Sequence, residues 1–390
     1  MKENYSQNLF NLTFLLTLTL LFYLIITLTS NDVILHINHA IRINQNLSNY
    51  PANFGFYLLI SFFSNFININ YLSVVAASIL AISCYYKYSL TVTFYTHEKL
   101  FPDANSNIKI LALAMATFFM FPILDPVSIF YLKIAYIGKV APHVWHNSTT
   151  IFVFPFAMLL FFKQIKVLHS NHTISKIDLA SLSLLIIVNA IIKPSFLFVY
   201  LPATILFIFF DKNLDTTKKY TLFIPIALGA SVVGIQYYLF YFLQVGSIQS
   251  EISSVSIGKP FEVFLHYIPV WYLPFSILFS LAFLILISIW FKSIFRYKPF
   301  LYAWCMHVCG FFISVFVIET GPRKYDGNFT WQNVITMYLI FITAISFFIQ
   351  QKNSRKISNS RKIAVYVCLA MHLLSGLLYL IKIFYSKNFY

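Results

Sequence analysis

The sequence predicts an all-α polytopic membrane protein of about ten to twelve transmembrane helices joined by short loops. Two observations carry this. Of the 390 residues, 59 % are hydrophobic and only 10 % charged, against roughly 25 % charged in an ordinary soluble domain. Apolar runs also recur along almost the whole chain, and no stretch between them reaches the size of about 50 residues that a soluble module needs. The chain therefore reads as a single transmembrane domain, residues 1–390.

Residues 11–29, NLTFLLTLTLLFYLIITLT, are long enough to cross a hydrocarbon core of about 30 Å as a helix. The following TSNDVIL lacks the small-residue pattern of a signal-peptidase site, so this segment is expected to remain as a span. In the second half, loops rich and poor in basic residues alternate, which orients the spans by the positive-inside rule. Lys163, Lys166 and Lys176, then Lys212, Lys218 and Lys219, then Lys292, Arg296 and Lys298, and last Lys352, Arg355, Lys356, Arg361 and Lys362 are assigned to the cytoplasm. The spans between fall at about 148–162, 178–192, 195–210, 220–242, 268–291, 300–318, 333–350 and 363–383.

The first half leaves two readings. Apolar runs at 52–66 and 70–94 precede a span at 108–124. Lys87, Lys99 and Lys109 favour a cytoplasmic loop near residue 100, which demotes 52–66 to an interfacial or re-entrant helix. The rival takes both runs as spans and lets the region from Asp125 to Lys139 re-enter or cross. No inverted repeat of the transporter kind is visible. Cys84, Cys305, Cys309 and Cys368 fall within expected spans and read as small apolar residues, with no disulfide and no metal site. The formal charge of +15 is scattered between the hydrophobic segments, so membrane topology accounts for it and nucleic acid is not an expected partner.

With this orientation four polar stretches gather at the outer face: 30–57, 125–150, 191–196 and 319–332. Carboxylates number twelve in all, and Asp32 and Glu319 each stand at the outer end of a span, where a lone charge is costly unless hydrated, paired or used. Asp32, His36 and His39 follow helical spacing and share a face. A carboxylate beside an imidazole can take a proton from a hydroxyl, or help hold a divalent cation. SND before an apolar run is equally an ordinary helix start, and the residues alone leave both open. HVWHN brings His143, Trp145, His146 and Asn147 together, side chains of the kind that hold sugars: an aromatic face for the ring, imidazole and amide groups for the hydroxyls. Lys193, in IIKPSF, is either a snorkelling lysine or a cation for a lipid-linked phosphate, with Pro194 keeping the backbone open there. ETGPRKYDGNFTW adds Arg323 and Lys324 beside Glu319 and Asp326. Arg323 suits a bidentate phosphate contact or a structural bridge to Glu319.

Taken together, NDVILHINHAI, YPANFGFYLLISFF, FPILDPVSIFYLKIAYIGKVAPHVWHNSTTIFVFPFAMLLFF, KPSF and ETGPRKYDGNFTW resemble the membrane-embedded GT-C glycosyltransferases, polytopic enzymes that use polyprenyl-phosphate-linked sugars. The resemblance implies a bacterial cytoplasmic-membrane enzyme with an outward site, transferring a sugar from such a donor to a glycan or lipid-linked acceptor among membrane lipids. It implies Asp32, with His36, as the catalytic base or as part of a divalent-cation site. It further implies Lys193, Arg323 and Lys324 on the donor phosphate, and His143, Trp145, His146, Asn147, Glu319, Asn328 and Trp331 toward sugar or acceptor. In many members a second acidic residue follows in the next outward loops, and Asp125 is the candidate here. The resemblance points to no particular cofactor and leaves a divalent cation open. Three other functions are alternatives: a polymerase of O-antigen or capsule repeat units carried on polyprenyl diphosphate, against which the longest late loop, 243–267, holds only Lys259 as a cation; a flippase for lipid-linked sugars, against which few charged or broken helices are expected near the midplane apart from His307 and His372; and a passive assembly subunit.

Overall fold

Apolar stretches become helices close to where periodicity and length place them. The computed structural model describes every residue except 1, 48, 103–104, 137, 171–172, 212–213, 246–252, 353–357 and 390. Lys212, Arg355 and Lys356, three of the cations assigned to the cytoplasm, thus lie outside the described residues. In chain order the helices are α1 (Lys2–Leu28), α2 (Asp32–Asn44), α3 (Gly55–Ser64), α4 (Leu72–His97), α5 (Ser106–Phe118), α6 (Ser148–His169), α7 (Lys176–Ile192), α8 (Leu197–Phe210), α9 (Thr216–Tyr237), α10 (Glu262–Tyr267), α11 (Leu273–Trp290), α12 (Lys298–Phe316), α13 (Trp331–Lys352) and α14 (Asn359–Ser386). A two-stranded antiparallel ladder, β1 (Val255–Ile257) with β2 (Val317–Glu319), pairs Val255 with Glu319 and Ile257 with Val317.

The protein is a multi-pass, all-α membrane protein: among the described residues eight helical segments are long and apolar enough to span a bilayer. Fewer helices reach spanning length than the ten to twelve expected; α3, α5 and the segment Pro194–Phe210 are apolar but shorter. One end is tied by Lys163 to Asp178 at 2.6 Å, Lys298 to Asp211 at 3.2 Å, and Tyr297 to Glu98 at 2.7 Å. These pairs join loops assigned to one side by their basic residues. At the other end the Ser30 amide donates to the Lys387 carbonyl at 3.0 Å, and all four polar stretches meet there.

Two features of the first half stand out. Helix α3 has ten residues, about 15 Å at 1.5 Å per residue, too short to cross; it packs beside α2 at the polar end, which is the interfacial alternative. Lys87 belongs to no loop, contrary to the expectation that it marks a cytoplasmic one. It sits in the middle of α4, 1 % exposed, its ammonium 3.7 Å and 4.0 Å from the ring centres of Tyr338 and Phe154. It donates to the Pro142 carbonyl at 3.3 Å and contacts His143 Nδ1 at 2.9 Å. An ammonium in such a place is tolerable only with aromatic faces and acceptors around it.

Lys87 thereby holds a non-helical segment. After α5 the chain runs from 119 to 147, among the described residues, with no α-helix and one π-turn, Val127–Tyr131, threaded between α4, α11 and α14. Lipid cannot satisfy its backbone, so neighbouring helices must. The Phe121 amide donates to the His372 carbonyl at 3.1 Å while His372 Nδ1 bonds the Phe121 carbonyl at 2.7 Å. Ser375 receives the Leu124 amide at 2.9 Å, and Ser280 the Val140 amide at 3.0 Å. Lys139 donates to the Ile123 carbonyl and to Asp125, both at 3.0 Å. Helix α13 forms the axis of the bundle, its spanning window wholly buried, as an all-round apolar helix should be.

Gly376 of α14 lies against this segment, and a Cβ built there would run into the Phe119 carbonyl oxygen. Gly376→Ala is expected to collapse the yield of monodisperse protein in detergent-detected size exclusion. Gly234→Ala on α9, where a Cβ meets nothing within 4 Å, is expected to be neutral or to stabilise by up to about 1 kcal/mol through helix propensity.

Candidate functional site

The polar stretches enclose one cavity of about 770 Å³, lined by residues of all four, within the size range of small-ligand sites. Each wall is positioned by a local rule of chain folding. Helix α2 starts on Asn31, whose side-chain oxygen accepts the Val33 and Ile34 amides at 3.0 and 3.3 Å. The cap suggested by SND therefore exists, but Asn31 provides it, and the Asp32 carboxylate turns to the cavity. Residues Asp32, His36, His39 and Arg42 line the cavity along this helix, over about 15 Å.

Helix α6 starts on Asn147, and its side chain does more than cap. Its oxygen accepts the Thr150 amide at 3.0 Å and Lys193 Nζ at 2.9 Å, while its Nδ2 donates to Asp32 at 3.2 Å. Lys193 also donates to Thr149 at 3.1 Å, and its ammonium lies 4.8 Å from the ring centre of Trp331. Residue 193 precedes a proline and adopts extended backbone, φ −165° and ψ 113°, which breaks the helix and turns the side chain inward. The fourth stretch bends through Gly321 and Gly327, both at positive φ. Arg323 Nε is 3.5 Å from Asp326 and 3.8 Å from Glu319.

Of the residues singled out from sequence, Asp32, His36, His39, His146, Asn147, Lys193, Arg323, Asp326, Asn328 and Trp331 line the cavity. The others do not. His143 and Trp145 are buried beneath it, their rings 4.2 Å apart and packed on Phe118. Glu319, 4 % exposed, accepts from Tyr241 at 2.8 Å and from Asn328, and so braces the fourth stretch. Lys324 forms an ion pair of 2.6 Å with Glu262 outside the cavity. Asp125 is enclosed by Lys139, Tyr272 and the Ser128 amide. Among the described residues no three His, Cys, Asp or Glu side chains are grouped so that they could hold a metal ion. Tyr57, Tyr136, Lys139 and Thr149 also line the cavity; aromatic and hydroxyl residues are too common in this chain to signal it, and Lys139 is committed to Ile123 and Asp125.

Burial governs the charges. It holds the His36 and His146 imidazoles at a pKa of about 4 despite the Asp32 carboxylate, with Lys193 adding to the effect. Burial likewise brings Lys193 down to about 7, the attraction of Asp32 only partly opposing it and Arg323 reinforcing it. For Asp125, burial alone would push the carboxyl up, but hydrogen bonds from Tyr272, Lys139 and Ser128 bring it to about 2. The cavity thus presents a carboxylate, two neutral imidazoles, a lysine that titrates near neutrality and an arginine.

Compared with known proteins, the chain matches no family model, no curated protein and no solved structure.

Because the Lys193 ammonium is charged below about 7 and neutral above it, any phosphate group held at Lys193 is expected to bind more weakly as pH rises. The loss approaches roughly tenfold per pH unit above that value. Native mass spectrometry or thermal-shift titration between pH 6 and pH 9 reads this out, and Lys193→Met is expected to bind weakly with a flat profile over the same range.

Proposed function

We propose that the chain is a GT-C-type glycosyltransferase, moving a sugar from a polyprenyl-phosphate donor to a glycan or lipid-linked acceptor at the outer face of a bacterial cytoplasmic membrane. One observation carries this: Asp32 and Lys193 reach the same Asn147 side chain on the wall of one cavity. A hydroxyl acceptor at Asp32 and a phosphate at Lys193 would be adjacent, as sugar transfer requires.

The acceptor oxygen bonds to the anomeric carbon as its proton passes to Asp32, and the bond from that carbon to the phosphate oxygen breaks. Polyprenyl phosphate departs, its developing charge stabilised by Lys193 and by Arg323. Preorganised cations in a water-poor site are worth several kcal/mol in such a step. The aromatic rings of Tyr136, His146 and Trp331, within 5.1 to 5.7 Å of one another through His146, suit the apolar faces of a sugar. The end of the bundle opposite the cavity carries the basic loops, which supports an outward orientation.

The test is the surface-polysaccharide profile of the host strain lacking the protein, complemented with wild type or Asp32→Asn and read by gel and mass spectrometry. The transferase reading expects loss of one sugar, restored by wild type and not by Asp32→Asn at equal membrane level. Collapse of a polymer ladder to a single repeat would make the protein a polymerase. Full rescue by Asp32→Asn would remove the base and leave transport.

A further inference from the structure

We propose that Ser148 is a positioning residue that fixes the tautomer of His36, so that His36 offers the cavity an N–H at Nε2 and no lone pair. Only the name of the oxygen that receives this N–H rests on the transferase reading.

His36 Nδ1 lies 2.5 Å from Ser148 Oγ. Ser148 is fully buried, and among the described residues its hydroxyl has no hydrogen-bonding partner besides His36. A buried hydroxyl keeps its proton bonded, and the one acceptor in reach is the lone pair of Nδ1. Ser148 therefore donates, Nδ1 is bare, and the proton of the neutral imidazole resides on Nε2. Ser148 is available for this because α6 is capped by the preceding residue: Asn147 takes the Thr150 amide, so the serine side chain is not committed to the helix start.

The ring has few other options. It meets Phe56 and Tyr57 in edge contacts, with centres 6.3 and 5.3 Å away, and Nε2 has no protein partner among the described residues. His36 lines the cavity, so an Nε2 proton there seeks an acceptor from a ligand. Asp32 stands one turn away on the same face, about 5–6 Å between Cβ atoms. The pair is thus complementary: Asp32 accepts a hydroxyl proton, His36 gives a hydrogen bond to an unprotonated oxygen. A ligand group carrying a hydroxyl and, a few ångströms off, a phosphate or glycosidic oxygen matches both. In the proposed reaction the hydroxyl is the acceptor's, the oxygen the donor's, and the proton goes to Asp32 alone.

The experiment is long-range ¹H–¹⁵N correlation on ¹⁵N-histidine-labelled protein in nanodiscs at pH 7, with the His36 pattern assigned by its loss in His36→Gln. The expected wild-type pattern is a pyridine-type Nδ1 and a pyrrole-type Nε2. Ser148→Ala should shift His36 toward a mixture of tautomers while the other histidine signals stay, and Ser148→Thr should restore it. A wild-type pattern with the proton on Nδ1, or an unchanged pattern in Ser148→Ala, would overturn the proposal. Should Ser148→Ala fail to fold, the wild-type spectrum alone still decides. Because the readout is spectroscopic, it stands or falls apart from any transferase activity.

Discussion

Non-helical backbone buried among membrane helices is the constraint on which the rest of this molecule depends. Between α5 and α6 the irregular stretches on either side of the π-turn Val127–Tyr131 must find partners for their amides and carbonyls where lipid offers none, and each unmet group would cost several kcal/mol. Polar side chains of the surrounding helices meet this need: His372 and Ser375 on α14, Ser276 and Ser280 on α11, and Lys87 on α4. Two buried lysines serve this purpose. Lys87 binds a carbonyl under aromatic faces, and Lys139 binds a carbonyl and the Asp125 carboxylate. Asp125 and Lys139 gain little net stability from pairing in such surroundings; they fix which path the segment takes.

What this path delivers is the start of α6. Three successive residues there each hold a group from another part of the chain: Asn147 holds Asp32 and Lys193, Ser148 holds His36, and Thr149 holds Lys193 again. A helix N-terminus is rigid and carries partial positive charge, which favours the nearby carboxylate. The arrangement sets the groups of the cavity before any ligand arrives, the condition under which electrostatic stabilisation is effective. It also explains why the buried His143 and Trp145 matter without touching the cavity: with Phe118 and Lys87 they form the packed floor on which the segment rests.

Much of the architecture was legible in the chain. Apolar length gave the spans, and the alternation of basic loops separated two ends that the ion pairs of Lys163, Lys298 and their partners confirm as distinct clusters. Scarcity drew attention to Asp32, and proline to the break at Lys193. Lys87 was misleading, because loop lysines and caged lysines look alike until Phe154 and Tyr338 are folded around one of them. Asp125 carried no mark of its pairing with Lys139, fourteen residues away across irregular chain. Ser148 was invisible for a different reason: a serine after an asparagine at a helix start reads as part of the cap, and only its distance to His36 reveals another use.

A carboxylate, a titratable lysine and aromatic rings in edge contact face one cavity, and the start of α6 holds the carboxylate and the lysine in place. The most direct measurement is a cryo-electron microscopy structure of the purified protein in nanodiscs containing polyprenyl phosphate. Phosphate density is expected inside the cavity, within hydrogen-bonding distance of Lys193 and on the side facing Asp32. Lipid phosphate bound elsewhere, with the cavity empty at saturating lipid, would contradict this expectation.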